Sequence, residues 1–252
     1  MTNKLSLALA AALFALPTFA FAQDAETPAA QETMAAEEAP ATEKAAATEE
    51  SESNLSFNAA LVSDYVFRGI SQTAFDPALQ VGVDYSLGDS GFYVGAWGSN
   101  VDFGSADGSD FEVDLYVGYN VDLSDDWNLD LNLTRYNYLG SSDGVDDNYN
   151  EFITVLGYKE MLTFTLGYTN NYVNADIDQL YFGVDGTWEV GNGFNLTAGL
   201  GRTDFEGGFD YTNWTLGVNR DFGPVNIGLN YYDTDISGKV SDQIVLGFSI
   251  GG

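Results

Sequence analysis

The sequence predicts an all-β protein, a single antiparallel transmembrane β-barrel of about 12 strands. Residues 54–252 repeat a segment in which apolar and polar side chains alternate, and each segment ends at a break rich in Gly, Asp, Asn or Ser. Successive side chains of a strand point to opposite faces, so each segment has one apolar face and one polar face. The breaks also alternate between short and long, as in a barrel whose two rims differ.

Two segments precede the predicted barrel. Lys4, the apolar run 5–19 and the small-aromatic-small pattern at 20–22 predict a signal peptide over residues 1–22 that is cleaved on export. Residues 23–53 carry one lysine against nine acidic residues and contain no aromatic residue. Such a segment buries too little apolar surface to offset the entropy of ordering it, so a disordered acidic segment is predicted over 23–53.

The barrel domain is predicted over residues 54–252. Its strands are expected near 55–69, 77–87, 91–101, 110–123, 126–138, 148–158, 161–173, 178–190, 193–204, 210–221, 224–235 and 241–250. Short breaks at every second connection, together with an even strand count, match outer-membrane barrels with short periplasmic turns and longer outward loops. The predicted location is therefore a bacterial outer membrane, with both termini in the periplasm.

Alternation alone leaves open which face points inward. In 111–123 the odd-numbered residues are all apolar or aromatic, and the even-numbered ones include Glu112 and Asp114. Twelve strands enclose more volume than an apolar core of this size fills, which favours a wet interior. Aromatic residues also end the apolar rows, as in interfacial girdles: Tyr85, Trp127, Tyr168, Trp188, Trp214 and Tyr231. The alternative is a soluble periplasmic β protein that buries its apolar rows and binds a ligand.

Composition excludes several classes of function. The chain carries 38 acidic and 8 basic residues, a net charge of −30, which would repel nucleic acid. It has no histidine and no cysteine, and so lacks the usual nucleophilic pairs and zinc ligands. We therefore expect no enzyme activity, no cofactor and no metal. The acidic loops at 107–110 and 143–147 offer oxygen ligands for Ca²⁺ or Mg²⁺, but solvated loops are the preferred interpretation.

Three arginines lie at informative positions. Arg68 is expected at the outer end of the first strand, on the same inward face as Asp64. It would form either a constriction pair that filters anions or a structural ion pair that braces the wall. Arg135 and Arg202 fall on the lipid-facing rows near the outer rim, where they would contact lipopolysaccharide phosphates or extend to the interface.

Residues 63–73 (SDYVFRGISQT), 76–80 (DPALQ) and 91–103 (GFYVGAWGSNVDF) carry a resemblance to a known family. With these motifs the chain resembles the TorF-family porins of Gram-negative bacteria, whose function is largely unknown. The resemblance covers about 54–252 and implies an outer-membrane barrel with a channel role. It implies no catalytic residues.

Together these observations predict a narrow passive channel for small hydrophilic solutes, cationic or neutral, in which lumen carboxylates accumulate cations. The expected partners are outer-membrane lipid, lipopolysaccharide and small solutes or cations, with no nucleic acid. The expected pore-lining residues are Asn58, Asp64, Arg68, Gln80, Asp84, Glu112, Asp114, Asn120, Asp130, Asn132, Asp185 and Glu189. The alternative is a non-conducting barrel, filled by its own side chains, with a structural or surface-interaction role.

Overall fold

The computed structural model describes residues 54–159, 161–237 and 242–251. The predicted signal peptide, the predicted acidic segment and Lys239 lie outside the described residues. Within these ranges, no helix has the length and apolar character needed to cross a membrane.

Twelve antiparallel strands form one closed barrel, in which each strand pairs with its neighbours in the wall and β1 closes the ring by pairing with β4 and β14. The wall strands are β1 (Leu55–Val62), β4 (Ala78–Ser86), β5 (Phe92–Asn100), β6 (Phe111–Ser124), β7 (Trp127–Leu139), β8 (Tyr149–Tyr158), β9 (Leu162–Thr169), β10 (Gln179–Gly191), β11 (Phe194–Phe205), β12 (Asp210–Phe222), β13 (Val225–Thr234) and β14 (Gln243–Gly251). Two short strands, β2 (Val66–Phe67) and β3 (Ile70–Ser71), form a separate hairpin. The predicted fold class is confirmed.

Two predicted strands are too long, and the first of them determines where Arg68 lies. The first strand was expected over 55–69, but β1 ends at Val62 and the chain leaves the wall before β4 begins at Ala78. The Asp64 carboxylate accepts hydrogen bonds from the Ser71 and Thr73 hydroxyls, so local side-chain bonds replace the sheet ladder there. The seventh predicted strand, 161–173, is also too long, because β9 ends at Thr169.

The two rims of the barrel differ in their connections. We call the rim where β1 begins and β14 ends the terminus end, and the opposite rim the loop end. At the terminus end, neighbouring strands are joined by short connections, such as the Gly223 turn with its positive φ of 63°. The connections at the loop end are longer, apart from the short one between β11 and β12.

The apolar rows face outward. Leu115, Leu229 and Leu246 in the wall are 53%, 47% and 42% exposed. Asp114, which precedes the outward Leu115 on β6, points inward and is 0% exposed. Exposed Tyr85 and Trp188 lie near the terminus end, and Tyr168 and Tyr231 lie near the loop end. This arrangement places an apolar belt between two aromatic rims, the surface that a barrel presents to a bilayer.

Glycines on the inner face make room for tyrosine rings. Gly95 of β5 lies directly opposite Tyr116 of β6, and Tyr93 lies directly opposite Gly118. A Cβ on either glycine would collide with the ring that covers it. Each ring therefore covers a glycine of the neighbouring strand, and the two rings meet edge-on with their centroids 6.3 Å apart.

A charged residue on the outer surface should lower the stability of the barrel most when it lies midway between the two rims. We expect Leu133→Arg to lower the unfolding free energy by about 2–4 kcal/mol, because Leu133 lies in the middle of β7, opposite Val117 and Phe152, where its outward side chain faces the bilayer midplane. The matched control Leu123→Arg, near the terminus end, should cost about 0–1 kcal/mol. Urea unfolding in lipid vesicles measures both, and equal costs would contradict the proposed membrane position.

Candidate functional site

The lumen is packed at one end and open to water at the other. Toward the terminus end, inward residues such as Asp122, Asp185, Glu189 and Asp221 are exposed. Toward the loop end, inward side chains are below 2% exposed: Glu112, Asp114, Thr134, Tyr136, Tyr149, Glu151, Gln179, Thr203 and Tyr211. The polar interior is thus a hollow that is closed over its loop-end half.

The segment that closes this half is a hairpin formed by β2 and β3, which we call the inserted hairpin (residues 65–72). Its two-residue turn consists of Arg68 at φ 42° and Gly69 at φ 83°. Two consecutive positive φ values characterise the type I′ turn that favours tight hairpins. A side chain at position 69 would come within 2.8 Å of Asn213 Cβ, so the glycine lets the turn lie against the wall.

Hydrogen bonds at the base hold the inserted hairpin together. The Gln72 amide donates to the Tyr65 carbonyl at 2.6 Å, and the Asp102 amide donates to the Gln72 carbonyl at 2.8 Å. The Ser71 and Thr73 hydroxyls donate to Asp64 Oδ1 at 2.6 and 2.9 Å. Burial raises the pKa of the Asp64 carboxyl, and these hydroxyl donors oppose that rise.

Arg68 joins the inserted hairpin to the opposite wall. Its Nη2 lies 2.8 Å from Glu151 Oε1 on β8, and its Nη1 donates to Gln179 Oε1 on β10 at 3.1 Å. The guanidinium also lies 4.1 Å from the Tyr181 ring centroid and 4.5 Å from that of Phe67. Arg68 was expected to form either a constriction pair that filters anions or a structural ion pair. Its contacts are those of a buried structural ion pair, which lies across the lumen.

Aromatic rings fill the space around this pair. Tyr136 and Tyr149 stack at 4.6 Å, and Tyr149 meets Tyr172 edge-on at 5.4 Å. Tyr172 in turn contacts Phe205 at 5.1 Å. The Tyr136 hydroxyl donates to Glu151 Oε2 at 3.0 Å, so the carboxylate is bonded on both oxygens.

Two further carboxylates lie on β6 in the same closed half. Glu112 and Asp114 are each 0% exposed. The Tyr138 hydroxyl donates to Glu112 Oε1 at 3.2 Å. Both Asp114 oxygens are buried and have no hydrogen-bond partner.

The terminus-end half carries a looser polar network. The Tyr93 hydroxyl donates to Asp130 Oδ1 at 2.8 Å and receives the Asn132 amide at 3.1 Å. Asn120 donates to Asp130 Oδ2 at 3.3 Å, and the Tyr116 hydroxyl donates to Asp84 at 2.7 Å. Acids here are hydrogen-bonded to tyrosines and amides on the wall and remain partly hydrated.

All twelve predicted pore-lining residues lie on the lumen side, but not together. Asp185 and Glu189 are exposed; Asn58, Gln80, Asp84, Asn120 and Asp130 are half-buried; Asp64, Arg68, Glu112, Asp114 and Asn132 are buried. Arg68 lies on the inserted hairpin rather than at the end of the first strand, which corrects its expected position, and its ionic partner is Glu151 rather than Asp64.

Sequence reasoning missed Glu151 and Gln179, which bind Arg68. The inward row of β8, Tyr149–Glu151–Ile153, offered a signal for Glu151, because it alternates with outward Phe152. Gln179 gives no such signal, since it occupies the first position of its strand.

Two acidic loops meet outside the wall at the loop end. The Asp107 carbonyl accepts the Ser142 amide at 2.7 Å, and Asp107 Oδ1 accepts the Ser109 amide at 2.8 Å. Burial, together with the neighbouring Asp107 carboxylate, raises the pKa of Asp147 to about 7. In the part of the chain that the structure describes, no three acidic side chains converge as a metal site would require.

The exterior arginines lie near the rims. Arg202 on β11 pairs with Asp204 at 2.9 Å and with Asp210, and its side chain is 49% exposed. Arg135 on β7 lies 3.4 Å from Asn137 Oδ1. Arg220, near the terminus end, lies between the rings of Phe194 and Phe222, 4.9 and 5.0 Å from their centroids.

A family model described as a bacterial protein of unknown function (Gcw_chp) matches residues 46–245. No curated protein sequence matches the chain. Among solved structures, the fold is similar to a porin refined at 1.8 Å, with TM-score 0.39, 16% identity, and 69% of this chain and 62% of that chain covered.

Two further solved porins are similar. For the outer membrane protein OprD from Pseudomonas aeruginosa the TM-score is 0.38 at 12% identity, covering 79% of this chain and 64% of that one. For the KdgM porin in complex with disordered oligogalacturonate it is 0.45 at 7% identity, covering 78% and 95%. The chain spans less than two thirds of the length of the first two porins.

Removing Arg68 should destabilise the closed half. We expect Arg68→Ala to lower the unfolding free energy by about 3–5 kcal/mol, because Glu151 would stay buried without its counter-charge. Alanine keeps a β-carbon at the positive φ of 42°, so backbone strain is unchanged. Urea unfolding measures the difference.

Two variants control for this result. Arg202→Ala breaks an exposed pair and should cost at most about 1 kcal/mol. The double change Arg68→Met with Glu151→Leu should recover most of the loss, because it removes both charges together. A single Arg68→Ala that matches the Arg202→Ala cost would show that the buried pair does not hold the hairpin.

Stability should depend on pH through Asp147. Its carboxyl has a raised pKa in the folded protein, so the folded state binds the proton more tightly than the unfolded state. The contribution is therefore favourable at low pH and is lost as pH rises to about 7. Asp147→Asn should gain stability relative to wild type across that window in urea unfolding. A curve for Asp147→Asn that runs parallel to the wild-type curve would refute this assignment.

Proposed function

Because the chain belongs to the Gcw_chp family of bacterial proteins, whose function is unknown, we propose its function from its own geometry. It is an outer-membrane channel of the porin type, which passes small hydrophilic solutes that are cationic or neutral. Its loop-end half is shut by the inserted hairpin, and solutes cross when that hairpin moves aside.

The single observation that supports this proposal is the negative charge of the side chains that line the lumen. Acidic side chains line it from Asp84 on β4 to Asp221 on β12, and among the described residues Arg68 is the one lysine or arginine on the inner side. Fixed carboxylates in a narrow, low-dielectric passage raise the local cation concentration and discourage anions. The other described basic residues lie on exterior rows or in a turn.

The way in which the inserted hairpin closes the lumen supports the proposal that it can move. The inserted hairpin is not a strand of the wall: β2 and β3 pair with each other, and among the described residues no sheet ladder joins them to a wall strand. Arg68 bonds Glu151 and Gln179, and the Tyr65 and Phe67 side chains are buried in the aromatic cluster. Displacing the hairpin would break these side-chain contacts and leave the barrel ladder intact. Separation of Arg68 from Glu151 would be the opening step.

The tight packing of the loop-end half favours one alternative, a non-conducting barrel with a structural or surface role. Aromatic stacking from Tyr136 through Phe205 fills that half with rings. In that case the inserted hairpin is a permanent part of the core, and the acidic loops of the loop end are the working surface.

The proposed setting is the outer membrane, reached through a cleaved signal peptide, with both termini in the periplasm. The loop end would then face outward, where Arg135 and Arg202 reach the lipopolysaccharide phosphates and the aromatic rims contact lipid. Arg202 is already paired with two aspartates, so Arg135 is the better candidate for such a contact.

Shortening the inserted hairpin should open the channel. The Tyr65 carbonyl and Gln72 amide are already bonded at 2.6 Å, so an Asn-Gly turn in place of residues 66–71 closes the chain without strain. In planar bilayers with a salt gradient, this variant should conduct far more than wild type and reverse at a cation-selective potential.

A matched control shortens another loop-end connection. Replacing residues 206–208, which are exposed between β11 and β12, with Asn-Gly should leave conductance at the wild-type level. No current from the shortened hairpin would favour the non-conducting alternative, and anion selectivity would contradict the proposed solute class.

A further inference from the structure

Arg220 is a cation on the outer surface of the barrel that lacks a counter-charge. It lies on an outward row of β12, two residues before that strand ends at Phe222. Its guanidinium is 4.9 Å from the Phe194 ring centroid and 5.0 Å from that of Phe222. The adjacent Asp221 faces the lumen, where it accepts a hydrogen bond from Asn226 at 2.6 Å. Among the residues that the structure describes, no carboxylate lies within ion-pair distance of Arg220.

A guanidinium in this position offers its N–H groups to an anion in the membrane. The two phenyl rings attract the positive charge, but they carry no hydrogen-bond acceptor atom. The planar fork of N–H donors matches the oxygens of a phosphate group. Because Arg220 lies on the outer face near a rim, the phosphate of a lipid headgroup is the anion within its reach.

The outward row that contains Arg220 continues across the neighbouring strands of the wall. In the sheet register its next members are Ile227 of β13, Phe248 of β14, Leu61 of β1 and Leu79 of β4. Arg220 lies close to the terminus end, whereas Leu61 lies six residues after Leu55, where β1 begins at that end. The row therefore rises from the rim toward the middle of the wall, as expected for tilted strands.

An apolar groove lies between this row and the next outward row, which includes Ile250 of β14 and, directly opposite it, Ala59 of β1. The groove is lined by Leu61, Leu79 and Phe248 on one side and by Ala59, Val225 and Ile250 on the other. Ala59 carries a single methyl group, whereas the outward residues two positions away on β1 are Phe57 and Leu61. The small side chain leaves the space between the two rows unfilled.

The groove has the length and direction of one acyl chain. Four strand spacings separate β12 from β4 in the closed sheet, which corresponds to about 19 Å. The hydrocarbon of one leaflet is about 15 Å deep, and the groove crosses it obliquely because the rows rise from the rim. A lipid whose headgroup lies at Arg220 would therefore direct a chain along the groove toward the bilayer centre.

We propose that this surface binds a single anionic phospholipid: Arg220 holds its phosphate, and the groove holds one acyl chain. The charge of Arg220 selects a lipid that carries a phosphate. The position of Arg220 near the terminus end selects the leaflet on that side, which is the periplasmic leaflet in the proposed setting. The site goes beyond the proposed channel, because it depends on the membrane position of the barrel and not on whether the lumen conducts.

Lipid binding to the refolded full-length barrel in detergent tests the site. Native mass spectrometry measures the affinity for dipalmitoylphosphatidylglycerol, for dipalmitoylglycerol, which has the same chains without the phosphate, and for glycerophosphoglycerol, which has the headgroup without the chains. The affinity for the complete lipid should exceed that for dipalmitoylglycerol about tenfold or more, because hydrogen bonds to a charged group contribute that much. Glycerophosphoglycerol should not be retained, since it cannot occupy the groove.

Two pairs of variants locate the lipid. Arg220→Gln should lower the affinity for the complete lipid to that for dipalmitoylglycerol, whereas Arg202→Gln, at an arginine already paired with two aspartates, should not. Ala59→Phe, which fills the groove, should weaken binding, and Leu200→Phe, on the outer face of β11, should leave it unchanged.

Should Arg220→Gln fail to fold, the three lipids on wild type and the Ala59→Phe pair still decide. Equal affinity for the lipids with and without phosphate would overturn the inference, and so would wild-type binding by either Arg220→Gln or Ala59→Phe. The bound lipid would then belong to the nonspecific layer around the barrel. A barrel without conductance would contradict the channel and leave this site unaffected.

Discussion

The structure depends on one constraint: the buried guanidinium of Arg68 needs a counter-charge and hydrogen-bond acceptors. Arg68 is carried into the barrel on a two-residue turn and finds Glu151 and Gln179 on the far side. Without these acceptors the burial of its charge would be prohibitive, and without Arg68 the Glu151 carboxylate would face the same penalty. The contact therefore fixes both the position of the inserted hairpin and the closed state of the loop-end half.

The rest of the closed half follows from that position. Tyr136 bonds the free oxygen of Glu151 and stacks on Tyr149, and the stack extends through Tyr172 to Phe205. At the opposite end no segment of residues 54–159, 161–237 or 242–251 enters the lumen, and Asp185 and Glu189 are exposed.

The wall imposes a different constraint, because strands that face hydrocarbon must satisfy their backbone groups within the closed sheet. A ring of twelve antiparallel strands does so with β1 paired to both β4 and β14. The same wall leaves a narrow lumen, in which glycines such as Gly95 and Gly118 are needed where a tyrosine ring of the neighbouring strand covers the backbone. Because the ring of twelve strands is narrow and tyrosine rings line it, a small movement of side chains would open or close a path through the lumen.

The sequence by itself determined the strand pattern, the inward acids and the outward apolar rows, because a period of two fixes which side chains share a face. From Phe111 to Leu123 this needed no knowledge of any neighbour. Ten of the twelve expected lumen residues lie on inward rows of wall strands, whereas Asp64 and Arg68 lie in the segment that leaves the wall after Val62.

Only the tertiary structure decided that the chain leaves the wall after Val62, that Arg68 meets Glu151, and that Asp114 lies without a donor between Trp97 and Tyr136. Arg68 and Glu151 are 83 positions apart in the sequence. The physical reason is that alternation is a local property of one strand, whereas a contact across the lumen depends on the register of many strands and on the space that a closed ring leaves inside.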